Sequence, residues 1–128
     1  MTLVEFIQSE LKRLHGALDI ATRDLTPEQW HAVPGANPNA NHIAFEIWHY
    51  VRTEDNIVRF ILQGRRPTVW MEGGWADRLK LPPMAQGTGM PAADAQALRI
   101  GDLDAFRQYI RDVYASTDEY LANPDAST

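Results

Sequence analysis

The 128-residue chain carries 12 basic against 17 acidic side chains, for a formal net charge of -5, and 45% of its residues are hydrophobic, which is enough for one domain with its own core. Its basic residues are dispersed among acidic ones, so no nucleic-acid partner is expected, and the absence of cysteine leaves only nitrogen and oxygen to hold any metal. The N-terminal stretch MTLVEFIQSELKRL alternates apolar and charged residues, unlike a signal peptide or a membrane span, so a cytoplasmic chain with no membrane partner is expected.

The first predicted element is a helix from Leu3 to Leu25, with Leu3, Ile7, Leu11, Leu14, Leu18, Ala21 and Leu25 stepping by four and three along one face. Thr2 and Glu5 have the spacing of a capping box, which satisfies two free N–H groups at the helix start. Thr26-Pro27-Glu28 repeats the start signal, but Pro34-Gly35 stops it, leaving a single turn that carries Trp30. A second long helix opens near Asn37-Pro38-Asn39 and runs to Gln63, with Gly64 as its stop. Its seam is Ile43, Ile47, Tyr50, Glu54, Ile57 and Ile61. Ala44, Val51 and Val58 widen one flank, and His42, Glu46, His49, Thr53 and Asn56 line the other.

Residues 65–90 mix glycine, proline and two tryptophans without periodicity and are expected to pack over the helices through Trp70 and Trp75. A short helix follows at 91–98. Asp102 then caps a third long helix whose seam is Leu103, Phe106, Ile110, Val113, Thr117 and Tyr120. The pattern defines an all-α, antiparallel up-down helical bundle, with Leu11, Ile47, Ile57, Ile110 and Val113 expected to be buried together.

Among chemically capable residues, His42, Glu46 and His49 share one side of the second helix and either converge on a divalent cation or form a solvated face. Glu54 sits on an apolar seam, so its carboxylate requires a partner from another element: it is either a buried anchor or a carboxylate supporting a metal-bound histidine. Arg52, two residues away, cannot supply that partner. His15 and His31 read as surface histidines, Gly87-Thr88-Gly89-Met90 as a turn. No nucleophile motif is visible.

Four segments, NHIAFEIWHYVRTEDNIVRFI, GGWADRLKLP, GTGMPAADAQAL and IGDLDAFRQYIRDVYASTDEYL, follow one another in an order that resembles the DinB-like superfamily of metal-dependent four-helix bundle proteins. The resemblance covers nearly the whole chain. It implies a four-helix bundle, often a homodimer, in which three histidines hold a divalent metal such as zinc, nickel or manganese. The first of these lies on the second helix five residues before a glutamate, and His49 with Glu54 matches that spacing. The other two lie on a fourth helix, and no histidine follows His49 here. The resemblance therefore implies a single domain, 1–128, short of the fourth helix and with an incomplete metal site: His49 as ligand, Glu54 in support, His42 and Glu46 as weaker donors. Relatives with complete sites include transferases and isomerases that use low-molecular-weight thiols. The alternative is a non-catalytic module that binds a partner helix or dimerises through the apolar groove between its first and third long helices.

Overall fold

The computed structural model describes residues 1–35 and 39–124. Three helices carry the architecture: α1 (Leu3–Thr22), α3 (Ile43–Asp55) with a π-helical extension (Asn56–Ile61), and α7 (Leu103–Ala122). Short helices join them: α2 (Pro27–Trp30) after α1, then α4 (Val69–Glu72), α5 (Trp75–Leu79) and α6 (Ala92–Ala97) between the π-helical segment and α7. The expected opening of the second long helix at Asn37 and Pro38 lies outside the described residues; the helix itself starts at Ile43.

Local chemistry sets the boundaries. The Thr2 hydroxyl accepts from the Glu5 N–H at 3.1 Å while the Glu5 carboxylate accepts from the Thr2 N–H at 3.2 Å, and Thr26 and Gln29 repeat the arrangement at α2. Asp102 caps α7 by accepting from the Ala105 N–H at 3.0 Å.

Cross-helix bonds fix the directions. His15 meets Glu54, the Thr22 carbonyl accepts from Arg107, and His15 stacks on Tyr114, so α1 runs antiparallel to both α3 and α7. Glu54 meets Thr117 and Arg59 meets Ser116, while Ile47 shares a cavity wall with Ile110. The expected antiparallel pairing thus holds for α1 against its neighbours, whereas α3 and α7 run parallel. The long excursion through α4, α5 and α6 supplies the crossover that parallel neighbours require. Its tryptophans dock as expected: Trp70 and Trp75 are buried, and Tyr109 of α7 packs against both rings at 5.1 and 5.7 Å.

The core is displaced from the expected seam. Ile47 and Val113 are buried, Leu11 and Ile110 are half-buried, and Ile57 is 42% exposed. On α3 the buried side is the flank of Ala44, Trp48, Val51 and Asp55, because the large indoles of Trp48 and Trp70 fill the interior there. The π-helical turn then widens the backbone, closing i to i+5 bonds such as Leu62 N–H to the Ile57 carbonyl at 2.9 Å. Val58 and Arg59 turn inward, and Ile57, Phe60 and Ile61 face out.

Candidate functional site

Helix α3 presents its polar side chains to different neighbours. His42 is the N-cap: Nδ1 accepts from the Phe45 N–H at 3.0 Å, and Nε2 donates to the Leu98 carbonyl at 2.9 Å. Both ring nitrogens are committed and the residue is fully buried, so its imidazole has no lone pair to give a cation. Burial pushes its pKa below the ordinary 6.5, which keeps it neutral. Glu46 is exposed and accepts from the Asn41 side-chain amide at 3.0 Å. The expected convergence of His42, Glu46 and His49 therefore does not form, because His42 ends the helix as a cap and Glu46 faces outward.

His49 is arranged differently. Its Nδ1 lies 2.6 Å from the Gln86 carbonyl and donates to it, which fixes the tautomer and leaves the Nε2 lone pair available. The ring stacks on Phe45 with centroids 5.9 Å apart. Gly87, at φ +95°, packs against both rings, where an added Cβ would meet His49 Nδ1 at 3.0 Å and Phe45 Cζ at 3.1 Å. The turn read at Gly87–Met90 is present, with the Met90 N–H donating to the Gly87 carbonyl at 3.1 Å, and it forms part of the seat for His49.

Glu54 is buried, as its position on the seam requires, and its partners come from three helices. Oε1 accepts from Tyr50 at 2.5 Å and pairs with His15 Nε2 at 2.7 Å, and Oε2 accepts from Thr117 at 2.7 Å. Tyr114 stacks on the far face of His15, with centroids 3.5 Å apart and planes 5° from parallel. His15 is thus a buried partner of a carboxylate, correcting the expectation of a surface histidine. The signal was in the register: His15 stands four residues after Leu11 and three before Leu18, on the stripe that packs inward. His31 is only partly buried, but its ring is also used, with Nδ1 at 2.8 Å from the Pro27 carbonyl and Nε2 accepting from the Ile100 N–H at 3.0 Å.

His49 and Glu54 are not brought together. Five residues apart on a helix, their side chains diverge by roughly 140°, and no hydrogen bond joins them. Glu54 supports the bundle rather than the His49 imidazole.

The neighbouring Asp55 is a further anchor that the sequence reading missed. It accepts from the Val69 and Trp70 N–H groups and from the Tyr109 hydroxyl, each at 2.9 Å, tying the start of α4 to α7. Burial raises its pKa despite those three donors. Arg52, as expected, looks elsewhere: it donates to the Ala85 carbonyl and lies 4.7 Å over the Trp70 ring.

Among the described residues no three His, Asp or Glu side chains are grouped so as to hold a metal ion. The residues present therefore fit one ligand position of such a centre, at His49 Nε2, and not a complete coordination sphere. Among the same residues, no helix is long and apolar enough to cross a membrane.

The family model of the DinB superfamily matches residues 10–127, so the chain belongs to that superfamily. No curated protein matches it.

Proposed function

We propose that this chain is a metal-binding unit of the DinB type that contributes a single imidazole, His49, to a divalent-metal site whose remaining donors come from outside the described residues. The observation that carries this reading is the hydrogen bond from His49 Nδ1 to the Gln86 carbonyl. An N–H to backbone-carbonyl bond of this kind is what orients ligating histidines and leaves Nε2 to bind metal. A bound divalent ion would act there as a Lewis acid, lowering the pKa of a coordinated water or of a low-molecular-weight thiol. No reaction step is assigned to it, because catalytic sites of this kind need about three protein ligands.

Titration calorimetry with zinc, nickel and manganese tests the proposal, alongside NMR of the His49 ring. Weak binding that shifts the His49 resonances and vanishes in His49→Ala is expected. Tight binding that survives His49→Ala would overturn the assignment.

A second reading has its own support. Leu3 and Phe6 of α1, with Ile57, Phe60 and Ile61 of the π-helical segment, are 42–74% exposed, an unusual amount of large apolar surface for a small domain. On this reading the chain is a helical association module that forms a homodimer without catalysis. Self-association that persists in His49→Ala and without metal favours it.

A further inference from the structure

A cavity of about 270 Å³ opens where α1, α3 and α7 meet. Leu18, Ile47, Ile110 and Tyr114 form its walls, and Asp19, Arg107 and Arg111 stand at its rim. We propose that it binds a small amphipathic carboxylate, with a hydrocarbon tail against the apolar walls and the head group between the two guanidinium groups.

Size sets the first limit. A dry cavity of about 150 Å³ accommodates benzene, so this one takes a ring or a chain of about eight carbons with a polar head. The walls then set the chemistry of the tail, since small-molecule sites combine apolar lining with a few placed polar groups. Ile47 comes from α3, Leu18 from α1 and Ile110 from α7, so an occupant would touch all three long helices.

The rim sets the charge of the head. Arg107 and Arg111 are one turn apart on α7 and both border the opening. Arg107 is held in place: Nη2 donates to the Thr22 carbonyl at 2.8 Å and to the Arg23 carbonyl at 3.3 Å, and the guanidinium lies 5.3 Å over the Trp30 ring. Its other N–H groups make no hydrogen bond among the described residues. Arg111 donates to the Gln108 side chain at 2.9 Å, an exposed contact that a stronger acceptor would replace. The opposing charge at the rim is Asp19, but its carboxylate already accepts from Arg23 at 2.6 Å. Two guanidinium groups thus remain for an incoming anion, and the planar fork of arginine suits a carboxylate. Tyr114 adds a hydroxyl that is buried with no hydrogen-bond partner among the described residues.

This site is separate from the metal proposal. Ile47 and His49 leave α3 on nearly opposite sides, roughly 200° apart, so neither proposal depends on the other.

Calorimetry and thermal unfolding with octanoate, benzoate and octylammonium test it on the intact chain. Octanoate should bind one per chain and raise the unfolding midpoint, and octylammonium should do neither. Arg111→Gln should weaken octanoate about tenfold, the loss expected for one charged hydrogen bond. Leu18→Phe should abolish binding by filling the cavity; Ile110→Phe fills it from the opposite wall should the first variant fail to fold. No heat and no midpoint shift with either acid at about millimolar concentration overturns the proposal. So does octylammonium binding at least as well as octanoate, which would assign the site to Asp19, and so does octanoate binding that is unchanged in both Arg111→Gln and a cavity-filled variant.

Discussion

Glu54 shows how a single carboxylate organises this interior. Its two oxygens meet Tyr50, His15 and Thr117, so truncation strands three polar groups at once, two of them buried. Glu54→Ala should cost about 3–5 kcal/mol, the range for breaking a buried pair, whereas Thr117→Val should cost only about 1 kcal/mol. Urea unfolding of the two variants checks the ratio; equal losses would show that the carboxylate is not the hub. His42 makes a different prediction, about pH. Its pKa is lowered by burial, with nearby His31 and Arg99 acting in the same direction, and its Nδ1 lone pair caps α3. The unfolded chain therefore binds this proton more readily, so its contribution to stability is complete above the ordinary 6.5 and is lost as pH falls from there towards the lowered folded value. The urea midpoint should drop as pH falls below the ordinary 6.5, and His42→Asn, which keeps the cap, should flatten that part of the slope.

At the scale of elements, the excursion between α3 and α7 both closes the fold and seats His49. Asp55 draws in α4, Arg52 holds the chain at Ala85, and the turn at Gly87 then meets the His49 ring. Gly87→Ala should destabilise by about 1–3 kcal/mol, because alanine is strained at φ +95° and its methyl group would press on His49 and Phe45. The same variant should shift the His49 ring resonances in NMR, and an unmoved ring would show that the turn does not position it. The helices themselves were legible in the sequence because caps and apolar periodicity are local signals, as at Thr2 and Asp102. The inward face of α3 was less so. The four-three seam through Ile43, Tyr50 and Ile57 marks the edge of the buried surface, and only the packing of Trp48 on Trp70, distant in sequence, decides which flank turns in. The π-helical turn has no sequence signature of comparable strength. The need of Glu54 for a partner followed from desolvation alone, but its identity as His15 depended on how α1 lies across α3.

For the molecule as a whole, the question is what its exposed apolar surface does. Antiparallel pairing with His15 opposite Glu54 carries the start of α1 towards the π-helical segment, since Phe6 precedes His15 and Ile61 follows Glu54 along oppositely directed helices. Leu3 and Phe6 from one, and Ile57, Phe60 and Ile61 from the other, then face out at the same end of the bundle. Apolar side chains exposed singly need no explanation, but a group of this size in a domain of 128 residues usually marks association. A second copy is the simplest partner, because a two-fold interface uses the same patch twice. The chain should therefore dimerise reversibly, with a mass in light scattering that rises with concentration. Phe60→Lys should shift that equilibrium to monomer without loss of helical content, because Phe60 is 44% exposed and contributes little to the core. A charge at Met84, 80% exposed and away from α1 and the π-helical segment in sequence, should leave the dimer intact. A monomer throughout the concentration range, or a dimer indifferent to Phe60→Lys but broken at Met84, would place the contact elsewhere on the molecule.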